Sequence, residues 1–162
     1  MILIGLGSNL PGAAGPPRAM LEAAIAVLAR EGIRPVARSR WYRTDPVPAS
    51  DQPWFVNGVV RVDTRFGPRA LLAMLQRTEA AFGRKRSVRN SPRILDLDLL
   101  DFEGRITAQP DLILPHPRLH ERAFVLRPLA EVAPDWRHPI SGRTAAALLG
   151  ALPPGQKAEP LR

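Results

Sequence analysis

The chain has 162 residues, 45% apolar and 23% charged, which fits one globular domain long enough to bury a core. It has no cysteine, which excludes disulfides and thiolate metal centres. A formal net charge of +8 predicts attraction to anions, with nucleic acid, a phosphorylated small molecule and a charge that serves solubility alone as the competing readings.

Met1 to Leu6 reads as a short buried strand. The apolar run of MILIGLGSNL is too short for a membrane span and has no basic residue before it, unlike a signal peptide, so a cytoplasmic protein is expected. Gly7 to Asn9 is turn-prone, and Pro11 to Pro17 is a loop whose last proline suits the first turn of a helix. Met20, Ala24, Val27 and Leu28 recur at helical spacing, and Gly32 ends that helix. Ile33 to Thr44 is a strand candidate weakened by Pro35. The proline-rich Asp45 to Pro53 must be loop, and Trp54 to Thr64 is a β-branched, aromatic strand. Gly67–Pro68 opens a second helix faced by Leu71, Leu75, Thr78 and Phe82 and stopped by Gly83. A basic loop, Arg84 to Pro92, leads to a strand over Ile94 to Phe102, and a third helix is expected over Ala123 to Val132. Residues 153–162 are expected to be a disordered tail behind a single domain spanning 1–152. The order predicts an α+β fold with a ferredoxin-like βαββαβ core, in an α/β/α sandwich with an antiparallel or mixed sheet.

The strand over Ile94 to Phe102 carries Asp96 and Asp98 in an otherwise apolar run. Buried carboxylates cost several kcal/mol unless paired or metal-bound. Residues i and i+2 of a strand share a face, roughly 7 Å apart. Two carboxylates so placed suit Mg²⁺, a hard cation that takes one or two of them together with phosphate oxygens. Arg84, Lys85, Arg86, Arg89 and Arg93 lie just upstream, and arginines hold phosphate oxygens bidentately. The combination points to a nucleoside triphosphate, although no G-x-x-x-x-G-K-[ST] sequence is present. His116 and His120 are four apart, but Pro117 interrupts them and no H-E-x-x-H glutamate is present, so zinc is not expected.

GLGSNL (Gly5 to Leu10), WYRTDPVPASDQPWFVN (Trp41 to Asn57), PRILDLDLL (Pro92 to Leu100) and LPHPRLHERAFVLRPLAEVAP (Leu114 to Pro134) together resemble the 6-hydroxymethyl-7,8-dihydropterin pyrophosphokinases. The likeness spans Ile2 to about Leu149. It implies transfer of pyrophosphate from ATP to the hydroxymethyl group of the pterin, giving AMP and the pterin diphosphate in folate biosynthesis. It also implies two Mg²⁺ ions held by Asp96 and Asp98, catalytic roles for these two and for Arg84 and Arg93, and ATP contacts at Gln76, Glu79, Arg86, Leu99, His116 and Arg122. Thr44, Asp45, Val47, Phe55, Asn57 and Phe124 match the pterin-binding positions, with the two phenylalanines stacking on the flat ring. A monomer whose partners are small molecules, with no membrane or nucleic acid, is the matching expectation.

The chain departs from the family pattern in two places. Asn90 and Ser91 replace the tryptophan and glycine of the RWGPR sequence that many members carry, and Asp45 stands where proline is common. Two other classes compete. A basic ferredoxin-like nucleic-acid module would explain the charge, but not two acidic residues on a strand. A binding protein that has lost catalysis would not need Arg84, Arg93, Asp96 and Asp98 together.

Overall fold

The computed structural model of the chain describes residues 1–46, 51–83 and 94–161. Its sheet is built outward from β1 (Ile2–Ser8), which is buried along its whole length. Ile2, Ile4 and Leu6 join the core on one face and Leu3 the core on the other, as the two-residue period of a strand requires. Both faces therefore need cover. α1 (Pro17–Arg30) and α2 (Pro68–Ala81) bring Leu21, Ala24, Leu28, Leu71 and Leu75 to the first face. α3 (Ala123–Val132) and α4 (Ala145–Gly150) bring Val125, Leu126, Leu129 and Leu148 to the second. The result is the expected α/β/α sandwich.

Every described strand pairing is antiparallel. β1 lies between β4 (Phe55–Asp63) and β5 (Asp96–Phe102). The far side of β4 pairs in succession with β3 (Tyr42–Thr44) and β2 (Arg34–Arg38). The single strand expected over Ile33 to Thr44 is thus two strands. Between them the Ser39 N–H donates to the Val59 carbonyl, and Ser39 Oγ accepts the Val59 N–H at 3.0 Å. The side chain replaces a main-chain acceptor, so the ladder is interrupted there. Trp41, also in the break, is buried and donates its indole N–H to Glu22 of α1 at 2.8 Å. A small hairpin, β6 (Thr107–Gln109) and β7 (Leu112–Leu114), stands apart from the main sheet.

Residues 153–161 do not form the disordered tail that composition suggested. Within them β8 (Ala158–Pro160) adds to β3, and the Leu161 N–H donates to the Trp41 carbonyl at 2.8 Å. The outer edge of β3 would otherwise expose unpaired main-chain groups, and these three residues cover it. The folded unit therefore extends past Leu152.

β5 contains a bulge. Ile4 pairs with Leu99 and Leu3 with Asp101, which leaves Leu100 as the extra residue. Leu95, Leu97 and Leu99 enter the core beneath α1 and α2, Leu100 enters the one beneath α3, and Phe102 returns to the first. The bulge gives the third carboxylate of DLDLLD a structural task. Asp101 is buried, accepting the Trp136 indole N–H at 2.8 Å and the Gly104 N–H at 3.1 Å.

Next to Trp136 stands His138, also buried, whose Nδ1 accepts the main-chain N–H groups of Ile140 and Ser141. Burial, reinforced by His120 and opposed by Asp101, lowers its pKa from the ordinary 6.5. A base whose folded pKa is depressed takes up protons first in the unfolded chain, so stability is full above about 6.5 and falls as the pH drops through the folded value. Thermal melts between pH 7.5 and 5 should show this acid-side loss, and His138→Asn should flatten part of it. An unchanged slope in the variant would assign the loss to other groups.

Candidate active site

The candidate site is a row of residues across the sheet on the face beneath α3. Asp96 of β5 pairs with Gly7 of β1, which pairs with Asn57 of β4, which pairs with Tyr42 of β3. Directly opposed residues on adjacent strands point to the same face. Asp98 pairs with Gly5 one step along, so both aspartates share that face, as their spacing predicts. Gly5 and Gly7 leave the floor between carboxylates and amide free of side chains. At Gly7 this is a steric requirement, because a Cβ there would lie 2.6 Å from Asn57 Oδ1. Asn57 is buried and donates from Nδ2 to Thr44 Oγ1 at 2.5 Å.

The start of α3 and the segment before it form a second wall. His116 hangs beside β5, its N–H donating to the Leu100 carbonyl at 2.9 Å. Its Nδ1 accepts the Arg118 N–H, so the neutral ring carries its proton on Nε2. Burial and then the Arg122 charge push its pKa down to about 4, against the pull of Asp96, so the ring is neutral near pH 7. Burial also lowers the Arg122 pKa, with Asp98 and Asp96 acting the other way. This couples the guanidinium electrostatically to both aspartates. The Arg122 guanidinium carbon stands 5.3 Å from the centre of the Phe124 ring. Phe124 in turn lines an open cleft with Thr44, Asp45, Gln156 and Lys157.

A family model described as 7,8-dihydro-6-hydroxymethylpterin-pyrophosphokinase (HPPK) matches residues 3–134, which include every element of this geometry except the C-terminal wall of the cleft. The chain belongs to this family. It is 47% identical to the 2-amino-4-hydroxy-6-hydroxymethyldihydropteridine pyrophosphokinase of Methylorubrum extorquens, over 93% of this chain and 92% of that one. It is 44% identical to the protein of the same name in Pseudomonas aeruginosa, over 94% and 91%. Among solved structures it resembles the wild-type HPPK-DHPS of Plasmodium falciparum with a TM-score of 0.68 at 14% identity, covering 92% of this chain and 43% of that one. That likeness concerns the fold, whose core is the ferredoxin-like one expected. A nucleic-acid module finds no support in these relatives.

Within the family framework, the structure brings Asp96, Asp98, His116, Arg122, Phe124, Thr44, Asp45 and Asn57 to one side of the sheet. Phe55 joins them two residues before Asn57 on the same face, half-buried. Gln76 and Glu79 lie elsewhere, on α2 in the opposite layer. Gln76 is exposed, whereas Glu79 is 1% exposed and accepts the Leu97 N–H at 2.8 Å. The Leu99 side chain is buried in the core beneath α1 and α2, so any ligand contact it makes must come from its main chain. Arg84, Arg86, Arg93 and Val47 lie outside the described residues. Among the described residues, no three His, Asp or Glu side chains are grouped to hold a metal, so a cation here needs oxygen ligands beyond the aspartates.

The sequence marks Gly7 to Asn9 only as turn-prone. In the fold this turn fastens both segments that flank the site. Ser8 Oγ donates to the Ile94 carbonyl at 2.6 Å, just ahead of β5. Asn9 is buried and donates to Gln52 Oε1 at 3.2 Å and the Pro53 carbonyl at 3.1 Å, just ahead of Phe55. The available signal was a polar pair, Ser8 and Asn9, closing an otherwise apolar strand, where the strand's end must be held. Gly7→Ala should displace the Asn57 amide and break its bond to Thr44. We expect the pterin KM to rise about tenfold, with the melting temperature within a few degrees of native. A normal KM would mean that Asn57 can move without loss.

Proposed function

We propose that the chain transfers pyrophosphate from ATP to the hydroxymethyl group of 6-hydroxymethyl-7,8-dihydropterin, yielding AMP and the pterin diphosphate, a step of folate biosynthesis. The observation that carries this reading is the shared face of Asp96, Asp98 and Asn57 across a glycine floor, in a chain of this family. It gives a site with an acidic end for a metal–triphosphate and an amide end for a heterocycle.

In this reading Asp96 and Asp98 hold two Mg²⁺ ions together with phosphate oxygens, a donor set of hard oxygen atoms that suits this cation. Bound there, Mg²⁺ supplies positive charge against the triphosphate. Arg122 stays cationic and binds phosphate oxygens, and neutral His116 offers Nε2–H as a further donor. Arg84, Arg86 and Arg93 act on the same phosphate chain, where charge stabilisation and positioning do most of the catalytic work. The resemblance adds nucleotide contacts from Gln76 and the Leu99 main chain, whereas Glu79, buried on α2, acts by holding the Leu97 N–H of β5. At the other end, Asn57 presents donor and acceptor together to the mixed edge of the pterin. Thr44, Asp45 and Val47 complete that recognition, and Phe55 and Phe124 stack on the ring. The protein is read as a cytoplasmic monomer whose partners are its small-molecule substrates.

The test is to supply ATP, Mg²⁺ and 6-hydroxymethyl-7,8-dihydropterin and identify the nucleotide formed. AMP supports the proposal. ADP would mean transfer of the γ-phosphoryl group alone and would overturn it.

A further inference from the structure

The C-terminal segment reaches the site at two points, Gln156 and Ala158, separated by a single residue. α3 begins at Ala123 without a side-chain cap from its preceding residue, Arg122. Gln156 supplies one from a distance. Its Oε1 accepts the Ala123 N–H at 2.9 Å, and its Nε2 donates to the Glu121 carbonyl at 2.9 Å. One amide thus grips the main chain on both sides of Arg122. Two residues later, Ala158 is buried and pairs with Thr44 at the end of β3. Residues 156–158 therefore tie the wall that carries Arg122 and Phe124 to the wall that carries Thr44. Gln156 also lines the cleft between these walls.

We propose that Gln156 is a positioning residue of the substrate site, fixing the spacing between Phe124 and Thr44. This rests on the reading of that cleft as the pterin site. A hydrogen bond made by an amide to two main-chain groups leaves little freedom for the corner it spans. A pocket for a flat ring needs its stacking face and its polar edge held at a fixed separation, because misplacement by a fraction of an ångström weakens both contacts. An ordinary helix cap would lend stability only. A cap whose other end is braced against the opposite wall of the pocket makes ligand affinity depend on it.

The experiment compares Gln156→Met, which keeps the volume and loses both bonds, with Gln156→Glu, which keeps the acceptor for Ala123. Glu159→Ala, an exposed change on β8, is the control. Pterin KM and kcat are measured by AMP release, and pterin Kd by fluorescence titration. We expect Gln156→Met to raise pterin KM and Kd together by about tenfold with kcat within twofold, Gln156→Glu to fall between it and wild type, and Glu159→Ala to match wild type. A lowered kcat and melting temperature with unchanged KM and Kd would make Gln156 a stability cap and overturn the proposal, as would native constants throughout. Asn57→Ala is measured alongside. If it leaves pterin affinity intact while the wild type turns over, the cleft itself has been misassigned and the proposal falls with it.

Discussion

Asp96→Asn and Asp98→Asn should each lower turnover by on the order of 10³-fold, with a melting temperature close to native. Asparagine keeps the shape of aspartate and removes its charge. The main chains of both residues are held by pairing to Gly7 and Gly5, and that pairing does not run through the carboxylates. Both side chains are only half-buried, so their loss leaves no large void. What the variants lose is the charge that holds a divalent cation against the triphosphate, and about 4 kcal/mol of transition-state stabilisation corresponds to that factor. Activity measured against Mg²⁺ concentration separates two forms of failure. A variant rescued at high Mg²⁺ has lost cation affinity; one that is not rescued has lost the arrangement of the cation. Near-normal turnover at low Mg²⁺ in either variant would end the metal assignment.

The parts of this fold that were legible in the sequence are those fixed by local backbone chemistry. Pro17 and Pro68 stand at the first position of α1 and α2, where a missing N–H costs nothing. Gly32 and Gly83 follow those helices with φ near +90°, a conformation that glycine adopts without strain. The alternation of β5 placed Asp96 and Asp98 on one face because period two holds up to the bulge. Features decided by distant partners were not legible. The break at Ser39 depends on a hydroxyl reaching Val59, twenty residues on. β8 is three residues of weak propensity, ordered by the edge they cover. In the site, residue types and spacing placed the two aspartates on one face, while Asn57 and the α3 corner were pointed to by the family resemblance. Residue types and spacing could not distinguish Asp101, which serves Trp136, from the two aspartates before it, since a bulge cannot be read from an apolar run. Nor could they show that Gln156 belongs to the pocket.

The resemblance makes Glu79 an ATP contact, but its burial on α2 points to a different task and makes the second large prediction. β5 is an edge strand, and Leu97, between the two aspartates, is 2% exposed. Among the described residues no strand lies beyond it to pair with its N–H, which sits where water is excluded. Glu79 answers that need with its carboxylate at 2.8 Å. Glu79→Ala leaves a buried donor without this acceptor, which costs about 1–3 kcal/mol, or several degrees of melting temperature in a chain of this size. The same loss frees the stretch that carries Asp96 and Asp98, so Mg²⁺-dependent activity should fall further than stability alone would dictate. Glu79→Gln keeps an oxygen acceptor and should recover most of both. Amide exchange at Leu97 is the direct readout, with protection lost in the alanine variant and largely kept in the glutamine one. An alanine variant with native melting and native protection at Leu97, but a raised KM for ATP, would instead make Glu79 a nucleotide contact whose bond to β5 is incidental.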